Sequence, residues 1–222
     1  MDLIGRFKSL SGLPLSLSAW IKDQREAAAL FKAGADRISI SIDLVNPEIY
    51  GKLKGGSMLE RLDLLLNCAY EWPGRMSTHI ICGLGESERE ALGLIDRLVK
   101  AGVKVALFAF VPLKGTPLED GSSPPVDAYR RIQAGYYLIK EELVDYESFK
   151  FDDQGRLITF GVTEAMLIKD LSPGIAFQTS GCPGCNRPFY NERPGGTIYN
   201  YHRSLSEQER KTNLEVLLKS LQ

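Results

Sequence analysis

The chain has 222 residues, 44% of them hydrophobic and 25% charged, which is enough to bury a sizeable core in one domain or a large part of one. A formal net charge of −1, with no Lys/Arg run longer than two, argues against nucleic acid or a membrane surface as the main partner. The sequence opens with no long apolar span and no signal-peptide core, and its four cysteines suit a reducing compartment, so a cytoplasmic location is expected.

Residues 13–18 alternate at period two and predict a strand; residues 23–33 place Ala27, Leu30 and Phe31 on one helical face before a stop at Gly34. Residues 37–42 predict the second strand, with Ile38, Ile40 and Ile42 on one face. Asn46-Pro47 reads as an N-cap followed by a first-turn proline, and residues 58–70 as a Leu-rich helix. Residues 76–82 predict the third strand, 86–101 its helix, and Gly102 the cap. Residues 103–111 predict the fourth strand, so apolar that coverage on both faces is expected. After a Ser/Pro loop at 121–125 come a helix at 127–143 and a hairpin at 149–160 on an Asp/Gly turn. Residues 174–201 are loop-rich, and Ser206 with Glu209 forms a capping box that opens a final helix.

Regular βα alternation means an α/β fold with a parallel sheet. The expected architecture is a partial (β/α) TIM-type barrel with a loop-rich carboxyl-terminal extension. Residues 1–145 form the partial barrel, and residues 146–222 form a hairpin, a cysteine-knuckle loop and a terminal helix packed on it. Four parallel strands do not close a barrel, and the leading edge at 13–18 is left unpaired unless another segment or chain covers it. Two loops just past strands, Gly83-Leu84-Gly85-Glu86 and the Val111–Thr116 turn with Pro112 and Gly115, lie on the rim where such folds keep their ligands.

The ordered motifs Arg37-Ile-Ser-Ile-Ser-Ile-Asp43, Asn46-Pro-Glu-Ile-Tyr50, Cys82-Gly-Leu-Gly-Glu-Ser87 and Phe108-Ala-Phe-Val-Pro-Leu-Lys-Gly-Thr-Pro-Leu118 resemble the later strands of a radical S-adenosylmethionine barrel of the biotin synthase and lipoyl synthase-like group. The resemblance implies S-adenosylmethionine beside an iron–sulfur cluster, and hydrogen abstraction followed by sulfur insertion or a related carbon-radical change. It implies that Asp43 meets the ribose hydroxyls with Ser41 on the same face. Gly83, Gly85 and Glu86 would line the adenine and methionine side, and Val111, Pro112, Gly115 and Thr116 would pack on the adenine. Each residue has a structural alternative: Asp43 capping a turn, the glycines making a turn, and the last loop serving as an ordinary βα connection.

The departures are equally specific. The family's Cys-x3-Cys-x2-Cys loop is absent, and positions that hold a second cluster in biotin synthase fall on Ser16 and Ser77. Cys182 and Cys185 form the remaining metal candidate, for an iron–sulfur cluster, for zinc as the alternative, or as a free redox-active pair. The expected partners are a small-molecule or carrier-bound substrate and either a missing amino-terminal segment or a cluster-bearing partner chain. The competing reading is a non-catalytic subunit that completes such a chain. His79 is expected to be a hydrogen-bonded core histidine, and Cys68 a buried small hydrophobe.

Overall fold

A computed structural model describes residues 2–180, 192 and 195–221. The order is α1 (Asp2–Leu10), β1 (Ser16–Ser18), α2 (Gln24–Lys32), β2 (Arg37–Ser39), α3 (Pro47–Leu53), α4 (Met58–Glu71), β3 (Met76–Cys82), α5 (Glu88–Lys100), β4 (Lys104–Ala109) and α6 (Val126–Lys140). A hairpin of β5 (Lys150–Phe151) and β6 (Leu157–Thr159) follows, then α7 (Glu164–Leu171) and α8 (Glu207–Ser220).

The helices start where the sequence supplies acceptors for their free amides. Asp23, Asn46 and Ser57 each accept from the first turn of the helix that follows, and Pro47 occupies the first turn of α3, where its missing N–H costs nothing. Ser87 with Glu90 and Ser206 with Glu209 are complete capping boxes. In the second, Arg203 also grips Glu209 through two contacts of 2.8 Å. Its guanidinium first, against a little burial, holds that carboxyl down at about 2. Ser206 is therefore fully engaged as a cap.

Strands β1 to β4 form one parallel sheet in sequential order, and the sheet does not close. One face carries Ile38, Met76, Thr78, Ile80 and Cys82, all fully buried against the helices. The other face is mixed: the register places Ser18, Ser39, Ser77 and Lys104 in one row across all four strands, with His79 opposite Ala106 and Ile81 opposite Phe108 beyond it. Lys104 and Phe108 are only half-buried, which corrects the expectation that β4 is covered on both faces. A face that is only partly covered need not be uniformly apolar.

The two sheet edges differ. At β4, the outward main chain is met by side chains: Tyr136 Oη donates to Val105 O at 2.9 Å, and Leu107 N donates to Ser180 Oγ at 2.9 Å. At β1, no hydrogen bond to the outward main chain of Ser16 or Ser18 occurs among the described residues. Leu3, Leu10 and Leu13, at 79%, 85% and 66% exposure, lie in the segment leading into that edge.

Several boundaries differ from expectation for local reasons. Strand β1 shortens to Ser16–Ser18: at the preceding position Leu15 N donates to the Asp36 side chain at 2.7 Å rather than to a main-chain partner in the ladder. Strand β4 ends at Ala109, one rung before Phe110 N donates to Cys82 O, and Pro112 then ends pairing. Helices α1 and α7 were not anticipated; α7 buries Leu167 and Leu171 one turn apart. The predicted hairpin is present, with Asp152 Oδ1 accepting from Gln154 and Arg156 to hold the turn. One buried apolar cluster runs from Ile21 in the sheet region to Leu217 in α8. No described helix is long and apolar enough to cross a membrane.

Candidate functional site

The rim site begins with a bulge. Ser39 pairs with Ser77 and Asp43 with Ile80, so four residues on one strand span three on its neighbour. The extra residue leaves main-chain groups of Ile40 and Ile42 off the ladder. The buried Thr78 hydroxyl fills that gap, donating to Ile40 O at 2.7 Å and accepting from Ile42 N at 3.0 Å. The ladder then resumes, with Asp43 N donating to His79 O at 2.9 Å and Ile81 N to Asp43 O at 2.7 Å. The bulge brings Ser41 and Asp43 out on either side of the buried Ile42, and Asp43 takes a left-handed conformation, φ 63°. That conformation is rare outside glycine but tolerated by aspartate.

Both exposed side chains already have protein partners. Asp43 Oδ2 is ion-paired to Lys54, the residue that caps α3, and the two side chains are 22% and 23% exposed. No protein donor to Asp43 Oδ1 occurs among the described residues. Ser41 Oγ lies 3.1 Å from His79 Nδ1, and Phe108 stands edge-on to the imidazole. Burial lowers the His79 pKa, with the Asp43 carboxylate opposing it, so the ring is held toward neutral.

The second rim loop is shaped by its own carboxylate. Glu86 accepts from Gly83 N at 2.6 Å and Leu84 N at 2.9 Å, which ties the turn. Gly83 and Gly85 hold φ near 100°, and a Cβ would strike Pro124 at 2.7 Å and Ile49 at 2.8 Å respectively. Both glycines are thus demanded by backbone conformation and by close neighbours within the protein. Burial raises the Glu86 pKa, outweighing the hydrogen bonds from the loop amides. A raised folded-state pKa contributes stability below the ordinary carboxyl range and loses it as pH rises through the folded value. Glu86→Gln is therefore expected to remove a decline in stability. The wild-type minus variant difference in unfolding free energy should fall as pH rises from the ordinary carboxyl range through the raised folded-state value, as read by urea denaturation.

The third loop follows β4. Val111 and Thr116, with Phe110 and Leu113, line a cavity of about 340 Å³ whose other wall is Lys52 and Leu53 of α3. Val111 and Pro112 also line a cavity of about 250 Å³ with Ser123, Glu192 and Tyr199. Gly115, at φ 81°, donates its amide to Glu119 Oε2 at 2.7 Å. Helix α3 is the common wall: Lys54 at its end meets Asp43, Ile49 meets Gly85, and Lys52 and Leu53 face Val111 and Thr116. The three loops are brought together around it.

Cys182 and Cys185 lie outside the described residues. The segments leading in and out are pinned together: Thr179 N donates to Tyr201 O at 2.9 Å, and Tyr201 N to Phe177 O at 3.0 Å. Tyr199 Oη donates to Pro124 O at 2.7 Å, so the returning segment rests on the residue that covers Gly83. Cys68 and Cys82 are free and fully buried. Burial pushes the Cys68 thiol up to about 11 and Cys82 well above the ordinary thiol value. Among the described residues, no group of three or more His, Cys, Asp or Glu is placed to hold a metal ion.

Lys54, Thr78, Ile49 and Pro124 were not singled out from sequence. Ile49 lies within the Asn46–Tyr50 motif and Pro124 within the 121–125 loop, but only the fold brings these four residues to the rim loops.

No family model matches the chain. It is 25% identical to a GTP 3′,8-cyclase of Limosilactobacillus fermentum over 158 residues, which is 70% of this chain and 46% of that protein. It is 28% identical to a biotin synthase of Burkholderia mallei over 142 residues, 60% of this chain and 40% of the relative. The chain thus spans less than half the length of these relatives. A hydroxymethylglutaryl-CoA lyase from Pseudomonas aeruginosa superposes with a TM-score of 0.43 at 17% identity, over 59% of this chain and 43% of that one. The GTP 3′,8-cyclase and the biotin synthase are both radical S-adenosylmethionine enzymes, and the chain is similar to them at modest identity over about 60–70% of its length.

Proposed function

We propose that this chain is the cofactor-cradling part of a radical S-adenosylmethionine enzyme. The observation that carries this reading is Asp43: a half-buried carboxylate at the end of a bulged strand, with one oxygen fixed by Lys54 and the other without a protein donor among the described residues. A carboxylate so presented accepts from a vicinal diol, as a ribose requires. Gly83, Gly85, Glu86, Val111, Pro112, Gly115 and Thr116 supply a turn and two apolar walls beside it, with Ser41 on the same face.

The cofactor pair supplies a 5′-deoxyadenosyl radical when both members are bound. The radical-generating cluster itself does not fit the described residues. Cys68 and Cys82 are buried, and their thiols are driven away from the thiolate form that iron requires. Cys182 and Cys185 have the spacing of two ligands of an auxiliary iron–sulfur site. Sulfur insertion or a related carbon-centred change is the chemistry such a site would serve.

The open β1 edge favours a second reading, in which the chain is a non-catalytic subunit that receives a parallel strand from a cluster-bearing partner. Calorimetry with S-adenosylmethionine, and iron analysis after anaerobic reconstitution, test the two together. The chain is expected to bind S-adenosylmethionine and a substoichiometric amount of iron, and not to cleave the cofactor reductively. Cys182→Ala with Cys185→Ala should remove the iron. Production of 5′-deoxyadenosine by the chain alone overturns the expectation, and absence of cofactor binding overturns the proposed function.

A further inference from the structure

We propose that Lys54 is the positioning residue of the nucleoside site, aiming Asp43 at the ligand's diol; this rests on the reading of Asp43 as the ribose acceptor. A free aspartate at the end of a strand can rotate among several orientations, and each costs entropy to select on binding. Here the selection is made before the ligand arrives. Lys54 Nζ bonds Asp43 Oδ2 and reaches the carbonyl of Ser41 at 3.5 Å, so it fixes the carboxylate relative to the bulged main chain on which that carboxylate stands. The lysine is itself held. It caps α3, its amine sits 5.5 Å from the ring centroid of Tyr50, and Tyr50 is fully buried.

The pair also sets what the site accepts. With Oδ2 committed to a cation, Asp43 presents one acceptor oxygen and little net charge. The recognised group is therefore a neutral hydroxyl pair, and any positive charge elsewhere on the ligand gains little from Asp43. The same ammonium keeps the carboxylate in place when the site is empty, which accounts for a left-handed aspartate standing at a rim without a second protein donor among the described residues.

The test is a ligand-by-variant cycle in calorimetry, with S-adenosylmethionine and its 2′-deoxy analogue as probes. The wild-type chain should prefer the ribose ligand about tenfold, the scale of one hydrogen bond to a charged acceptor. Asp43→Asn and Lys54→Met should each abolish most of that preference, and the double variant should lose no more than either single one. Affinity for the 2′-deoxy analogue should stay within about twofold throughout, since that ligand does not use the full diol. A thermal scan of each variant separates this from unfolding, because a merely structural lysine would weaken both ligands alike. If Asp43→Asn loses the preference while Lys54→Met keeps it, the positioning role is overturned and the ribose reading stands. If the wild-type chain binds but shows no preference, the ribose reading falls and the role of Lys54 falls with it.

Discussion

Replacing Arg130 with methionine is expected to cost at least about 4 kcal/mol of folding stability, the largest effect of any single substitution considered in this protein. Arg130 is 1% exposed on α6 and has no carboxylate partner in direct contact among the described residues. Its guanidinium is satisfied by neutral acceptors: Asn213 Oδ1 at 2.6 Å, Ile198 O at 2.7 Å, Gln133 Oε1 and Tyr199 O. The rings of Phe177 and Tyr201 lie 5.4 and 5.8 Å from it. Burial lowers the Arg130 pKa, with the surrounding tyrosines and Glu192 opposing. Methionine fills much of the volume yet leaves several buried acceptors without donors, each costing about 1–3 kcal/mol. The loss should be uneven. Arg130 ties the main chain at 198–199 to α6 and to Asn213 of α8, so amide protection at Thr179 and Tyr201 should fall before that of β3. Urea unfolding and hydrogen exchange read the two effects. A variant within about 1 kcal/mol of wild type would show that Arg130 is packing alone.

Much of the sheet was legible because its signals are local. Asn46-Pro47 and Ser206 with Glu209 announce helix starts through chemistry carried within four residues, and the structure has both caps; the box of Ser87 with Glu90 starts α5 at Glu88, inside the expected bounds of 86–101. The β3 alternation appears in its burial, with Met76, Thr78, Ile80 and Cys82 inside and Ser77, His79 and Ile81 half-buried. His79 is hydrogen-bonded and Cys68 buried, as their neighbours in sequence implied. The bulge at Ser39–Asp43 was not legible, because an unbroken β-branched alternation at 37–42 gives no local sign of an extra residue. The side chain that satisfies it is Thr78, 36 residues from Ile42. Lys54 was hidden in the same way: a lysine after a short helix looks solvated until the fold sets it on Asp43. The glycines at 83 and 85 announce a tight turn in the sequence, but their close neighbours Pro124 and Ile49 are visible only in the fold. Long-range partners decided each of these, and a single sequence does not pair residues across the fold.

The hairpin and α5 depend on one buried ion pair, and its removal should give the second-largest loss. Arg131 and Glu88 are 3% and 9% exposed in their side chains and meet in a two-pronged contact, with Nη2 to Oε1 at 2.6 Å and Nε to Oε2 at 2.9 Å. Glu88 Oε2 also accepts from Leu157 N at 2.8 Å, so the same carboxylate holds the first residue of β6. Although burial opposes it, the contact with Glu88 raises the Arg131 pKa, and Asp127 adds a further bond at 2.9 Å from the half-exposed side. Glu88→Ala strands a buried cation and an amide together, for an expected cost of about 3–5 kcal/mol. Asp127 lessens that cost only a little, since its own side chain is 43% exposed and screened by water. Arg131→Met alone leaves the carboxylate uncompensated and should be comparably damaging. The double variant Glu88→Leu with Arg131→Met should recover much of the loss, because two apolar side chains of similar volume need no partners; what remains is the unmet Leu157 amide, about 1–3 kcal/mol. A double-mutant cycle in urea measures this directly. Equal loss in the double variant and in Glu88→Ala would show that the Leu157 amide, and not the ion pair, is what Glu88 supports.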